Sequence, residues 1–193
     1  MKLIVFEGID GSGKTTLWQN LKEDLKNESN IEFIKSPVSP FTSMIKDFWD
    51  ADIFERFIFF ICSNSYFVKT ADENKIYVID RFIYSTFITH VDLANPQNND
   101  LMLNIIKKMN IVCPTMTFLI SASKKEVKRR LEERDSNIDN SLDIDKLYSC
   151  YYELSLNDGY DNLFGKMKKI SNELEQDLQM NIKIIRDAIL AET

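Results

Sequence analysis

Residues 8–15 read Gly8-Ile9-Asp10-Gly11-Ser12-Gly13-Lys14-Thr15, two glycines five apart followed at once by Lys and Thr. Glycines at that spacing let the backbone wrap so that successive N–H groups face one anion. A helix opening at Lys14 adds the positive field of its N-terminus. In this pattern the Lys14 ammonium reaches the β- and γ-phosphates of a nucleotide, and the Thr15 hydroxyl coordinates Mg2+. The spacing therefore predicts a phosphate cradle over Gly8, Asp10, Gly11, Ser12, Gly13, Lys14, Thr15 and Thr16, with ATP and Mg2+ as its ligands. Asp10 sets a carboxylate inside that cradle, and two readings stay open. It either closes the turn as an Asx residue or points away from the ATP and accepts a hydrogen bond from a second substrate.

Two further clusters carry chemistry. Ile76-Tyr77-Val78-Ile79 runs directly into Asp80-Arg81. An acid at the end of a neighbouring strand suits the water shell of Mg2+, and an adjacent arginine can clamp a phosphoryl oxygen. The bland alternative is a surface ion pair of little energetic weight. Lys128-Arg129-Arg130 is followed by Arg134. Arg130 and Arg134 are four apart, so they share one helix face and can serve one anion. They lead into residues 135–143, which lack apolar periodicity and are expected to form a lid over ATP. A solvated helix of mixed charge is the alternative for either arginine.

Strands alternating with helices must position these groups. Strands are expected at Lys2–Phe6, Ile31–Ile34, Ile76–Ile79, Met116–Ile120 and Met167–Ile170. Helices are expected at Lys14–Lys26, Pro40–Trp49, Phe54–Thr70, Leu101–Met109, Lys124–Glu133, Asp145–Leu156 and Asn172–Leu190. The segment 54–70 is apolar nearly all round and reads as a buried helix. This alternation implies an α/β fold with a parallel sheet covered on both faces, and ligands beyond the carboxyl ends of its strands.

The 193 residues fit one domain, 1–193, with no linker or repeat. With 24 basic and 30 acidic residues the net charge is −6, which argues against a nucleic-acid-coating protein but not against a locally basic phosphate site. One histidine and three widely spaced cysteines argue against a Cys/His zinc site. Cys62, Cys113 and Cys150 are expected to be reduced core residues of a cytoplasmic protein. No apolar run approaches the ~20 residues of a membrane span.

With those residues in view, the chain resembles the thymidylate kinase family of nucleoside monophosphate kinases. Phe6 to Thr16 and Asp80-Arg81-Phe82-Ile83-Tyr84-Ser85-Thr86 look like two of its segments, and Pro114–Phe118 with the arginine-bearing helix follows in order. The resemblance implies a three-layer α/β/α P-loop NTPase fold with about five parallel strands. It also implies phosphoryl transfer from MgATP to a nucleotide, dTMP first, in a homodimer with a helical interface that Phe54–Ile61 would suit. Lys14 and Thr15 would take the ATP phosphates and Mg2+, with Asp80 beside them. Asp10 would hold the acceptor's sugar hydroxyl, Arg81 would sit between the phosphates, and Arg130 or Arg134 would act from the lid. Phe41, Tyr66 and Phe67 offer stacking surfaces for a base, with core packing as the alternative.

The acceptor half departs from the family pattern. Lys35-Ser36-Pro37 stands where the family has Arg-Glu-Pro, Asn64 where it carries an arginine near the base, and Thr89-His90 where it has Tyr-Gln. The acceptor-side expectation therefore falls on Asp10, Lys35, Ser36, Phe41, Asn64, Phe67, Arg81 and His90. A nucleoside or deoxynucleoside kinase is the alternative, since a neutral hydroxyl needs no arginine clamp. A nucleotide-binding protein that has lost transfer is the second.

Overall fold

The computed structural model describes residues 1–91, 96–134, 143–153, 161–174 and 176–192. Five strands form one sheet: β1 (Lys2–Glu7), β2 (Ile31–Lys35), β3 (Ile76–Asp80), β4 (Met116–Ser121) and β5 (Lys166–Ser171). All neighbours pair in parallel, in the order β2-β3-β1-β4-β5. Parallel strands need crossover connections, and helices supply them. These are α1 (Lys14–Asp24), α2 (Phe41–Met44), α3 (Ile53–Thr70), α4 (Ile83–Ile88), α5 (Pro96–Lys108), α6 (Lys124–Glu133), α7 (Ile144–Glu153), α8 (Asp161–Phe164) and α9 (Asp177–Leu190).

Alternation along β1 explains the layering. Leu3 and Val5 face a core that includes Phe57 and Ile61 of α3 and Val127 of α6. Ile4 and Phe6 face the other way, onto Leu17 and Leu21 of α1 and Ile182 and Ile185 of α9. Each face is thus covered, as a parallel sheet requires, and truncating a fully buried Phe6 to alanine is expected to cost about 3–5 kcal/mol. β5 sits at an edge, where Lys166, Lys168 and Lys169 discourage pairing with another chain. Among the described residues no helix is long and apolar enough to cross a membrane.

Several expected boundaries shift for local reasons. The helix expected over 40–49 is one turn of α-helix followed by a 3-10 turn at Ile45–Phe48. Thr42 and Ser43 return their hydroxyls to the carbonyls of Pro37 and Pro40, which competes with helix propagation. α3 begins where expected because Asp52 and Glu55 form a reciprocal cap. α9 begins five residues later than expected, because the Asp177 carboxylate accepts from Glu173 N and Leu174 N and closes a turn there. The short helices α4 and α8 had no periodic signal. Cys113 is exposed, in contrast to the expected core position, and only Cys150 is buried. The expected lid, 135–143, lies outside the described residues except Asp143, whose carboxylate accepts from Lys146 N at 2.9 Å in the first turn of α7.

Candidate active site

The sheet order brings the carboxyl ends of β1, β3 and β4 side by side, and the loop after β1 turns directly into α1. Gly8 (φ 145°) and Gly13 (φ 83°) hold conformations that favour glycine. A Cβ at Gly8 would collide with the Ile120 carbonyl, and one at Gly13 with the Asn172 amide. Gly13 is also the N-cap of α1 and gives it no side-chain cap. The first amides of α1 are therefore left to a ligand. An open concavity lies here, lined by Ile9, Asp10, Gly11, Gly13, Lys14, Thr15 and Arg134.

Within it, Lys14 is 4% exposed and its ammonium lies 2.9 Å from Asp80 Oδ1. Thr15 Oγ1 lies 3.5 Å from Asp80 Oδ2, so one carboxylate meets both groups. Burial, with Arg81 nearby, pulls the Lys14 pKa below its ordinary value against the opposing pull of Asp80 and Asp10. Asp10 forms an ion pair with Arg81. Burial pushes its carboxyl up, but Arg81 and Lys14 outweigh it and hold the pKa below the usual carboxylate value. Ser12 is fully buried, and its hydroxyl has no hydrogen-bond partner among the described residues. Thr16 is exposed on α1.

The two arginines of the α6 stripe part company. Arg134, just past the end of α6, lines the phosphate concavity. Arg130 stands behind the loop, donating from Nη1 to Gly11 O at 3.3 Å and from Nη2 to Asn172 O at 2.9 Å and Glu173 O at 3.0 Å. Its Nε donates to Glu126. Asn172 itself donates to Ser12 O at 3.1 Å. Arg130 and Asn172 together brace the loop against the start of the β5–α9 connection, a role for which Asn172 gave no signal in the sequence.

On the acceptor side the structure gathers only some of the expected residues. Asn64 is 2% exposed and links three elements, receiving a hydrogen bond from Ser36 Oγ at 3.3 Å and donating to Thr86 Oγ1 at 3.1 Å. His90, just beyond α4, is buried and donates from Nδ1 to Thr86 O at 2.6 Å. Phe67 packs edge-on against Tyr77 and Phe82 in the core, and Phe41 against Phe59 and Tyr66. Lys35 stands apart: its ammonium lies 5.4 Å from the centre of the Trp18 ring, on the α1 face of the sheet. Strand alternation explains this, since Ile34 takes the α3 face and Lys35 must take the other.

Sequence reasoning passed over Glu7, Ser85 and Tyr151. Glu7 ends β1 on the same face as Leu3 and Val5, fully buried. A carboxylate at a core-facing strand position must be paired, and that was the available signal. Tyr151 bonds Arg81 Nη1 at 2.8 Å.

The family model for thymidylate kinase matches residues 6–176. A thymidylate kinase from Mycoplasma capricolum is 28% identical over 96% of this chain and 95% of its own length. A probable thymidylate kinase from Methanococcus maripaludis is 26% identical over 79% of this chain and 77% of its own. Among solved structures, a thymidylate kinase from Ehrlichia chaffeensis superposes with a TM-score of 0.65 at 22% identity, covering 96% of this chain and 98% of that one. A deoxyadenosine kinase from M. mycoides with bound dATP superposes with a TM-score of 0.69 at 18% identity, covering 97% and 98%. At those identities the structural likenesses speak to the fold.

Proposed function

The chain belongs to the thymidylate kinase family, and we propose that it transfers the γ-phosphoryl group of ATP to dTMP, giving dTDP and ADP. The observation that carries this reading is the meeting of Lys14 and Thr15 on Asp80, inside a glycine-built concavity that Arg134 also lines. Transfer between phosphates needs positioning and neutralisation of charge rather than a covalent intermediate. Lys14 leaves Asp80 for the β- and γ-phosphates when ATP enters, and Arg134 adds charge from the end of α6. Arg81, released from Asp10, lies between donor and acceptor phosphates. Asp10, with a side chain 44% exposed, then accepts from the acceptor's sugar hydroxyl. Ser36 and Asn64 line the acceptor's far side.

Mg2+ fits these residues, because Thr15 Oγ1 and the Asp80 carboxylate are oxygen donors set together at the phosphate cradle. They would hold the ion, which supplies neutralisation of the phosphate charge. The same family reading makes the protein a cytoplasmic homodimer, whose sedimentation should be that of two chains.

One observation favours a second reading, a deoxynucleoside kinase. The end of β2 offers the neutral Ser36 to an acceptor, while Lys35 turns to Trp18 across the sheet. A coupled assay of ADP release decides between them, with MgATP, a panel of nucleosides and nucleoside monophosphates, and Lys14→Ala as the blank. Selective turnover of dTMP is expected. Turnover of nucleosides alone would select the second reading, and silence with ATP still bound would overturn both.

A further inference from the structure

Arg81 occupies an unusual backbone position. Its φ is 69°, in the left-handed region that a non-glycine residue seldom enters. Arg81 N donates to Phe6 O at 2.9 Å. The turn that follows is gripped by Glu7, whose Oε1 accepts from Phe82 N at 2.9 Å and Ser85 N at 3.1 Å. A strained backbone of this kind persists only where its surroundings over-determine it, and here a fully buried carboxylate does so.

The side chain is held by two different edges. Nη2 pairs with Asp10, which is partly exposed. Nη1 donates to Tyr151 Oη at 2.8 Å and Ser85 Oγ at 3.2 Å, both on buried residues. Tyr151 Oη and Ser85 Oγ are 2.9 Å apart, and Ser85 Oγ bonds Glu7 Oε2. A guanidinium only donates and a carboxylate only accepts, and these two ends fix the direction of the chain. Arg81 donates to Tyr151, the Tyr151 hydroxyl donates to Ser85, and the Ser85 hydroxyl donates to the Glu7 carboxylate. Were Ser85 to donate to Tyr151 instead, its oxygen would face the Glu7 carboxylate with no hydrogen between them. Glu7 is therefore a buried counter-charge to Arg81, reached through two hydroxyls.

We propose that Tyr151 and Glu7 are positioning residues that aim Arg81 at the transferring phosphoryl group, with Ser85 joining them. The claim rests on the phosphoryl-transfer role given to Arg81 above. The two edges then have separate duties. The Asp10 edge is exchangeable and is given up to substrate phosphates, while the Tyr151 edge stays fixed and keeps the guanidinium plane in place. Tyr151 is itself well anchored, because α7 is tied to the end of β4 by Tyr148 Oη on Ala122 O at 3.2 Å and Tyr152 Oη on Ile120 O at 3.0 Å. Ile120 O is also the carbonyl that a side chain at Gly8 would strike, so α7 and the phosphate loop share one reference point.

The test is Tyr151→Phe in the full chain, which removes one hydroxyl and keeps the ring. Steady-state kinetics with MgATP and the acceptor that turns over, and thermal unfolding, are measured in the wild-type and Arg81→Ala backgrounds. The expected result is a kcat lower by about tenfold or more, the size of a lost hydrogen bond to a charged group, with KM for ATP changed less than about twofold. In the Arg81→Ala background the same substitution should change kcat by less than about twofold. Glu7→Gln and Ser85→Ala should both reproduce the kcat loss, and Ser85→Ala alone serves if Glu7→Gln does not fold. An equal kcat loss in both backgrounds would show that Tyr151 acts without Arg81 and would overturn the proposal. So would a lower unfolding temperature with kcat intact. If Arg81→Ala alone keeps full turnover, the transfer role of Arg81 fails first, and the positioning claim falls with it.

Discussion

His90 gives the sharpest prediction about stability. The ring is 4% exposed, donates from Nδ1 to Thr86 O, and packs against Phe57 and Phe60 at centroid distances of 6.2 and 5.8 Å. Burial depresses its pKa from 6.5 to about 4, with Arg56 adding to the effect and the Thr86 bond opposing it. The folded pKa lies below the unfolded one, so as pH falls from 6.5 toward 4 the unfolded chain takes up a proton that the folded chain refuses. Stability is present above that window and is lost through it. The full gap corresponds to about 3 kcal/mol, and about 2 kcal/mol of it is gone at pH 5. Glu7, raised mainly by burial, pulls the opposite way in acid, and Asp10 contributes only near and below its ordinary 3.8. The contribution of His90 is therefore isolated by difference. Urea unfolding of wild type and His90→Gln is compared at pH 7 and pH 5. Wild type should lose about 2 kcal/mol more than the variant. Parallel losses, within about 0.5 kcal/mol, would refute the assignment of a buried neutral imidazole.

Asp80→Asn leaves the Lys14 ammonium buried without its counter-charge and should lower unfolding free energy by about 3–5 kcal/mol in urea titrations; an unchanged midpoint would show that the pair is solvated. Gly13→Ala should raise KM for ATP at least about tenfold, since its Cβ meets the Asn172 amide and its φ is 83°; wild-type kinetics would contradict the described loop. Arg130→Ala should raise KM for ATP by about tenfold through loosening of Gly11 and Asn172, with kcat changed less than about threefold. A kcat collapse at constant KM would instead put Arg130 at the transferring phosphate.

The phosphate loop was legible because its chemistry is local: eight consecutive residues between a strand and a helix define it. Asp80-Arg81 could be read for the same reason, the strand running straight into the pair. What escaped depends on distant contacts. Glu7 meets Ser85 across a sequence separation of 78, and Asn172 meets Ser12 across 160. No periodicity in a single chain encodes such pairs. Lys35 is a different case, because strand alternation alone assigns it to the Trp18 face once Ile34 is taken as core. Arg130 and Arg134 show the limit of helical spacing. It puts two side chains on one face, but the end of α6 lets one enter the phosphate concavity while the other braces the loop from behind.

Lys14 and Asp80 mark the place where the γ-phosphoryl group would pass to a nucleoside monophosphate. The most direct test of that transfer is identification of the product by chromatography and mass after incubation with MgATP and dTMP, in wild type and in Lys14→Ala. Wild type should give dTDP and an equal amount of ADP, and the variant neither above background. Undiminished dTDP from Lys14→Ala, or ATP bound by wild type with no phosphorylated product from dTMP, would contradict transfer at this site.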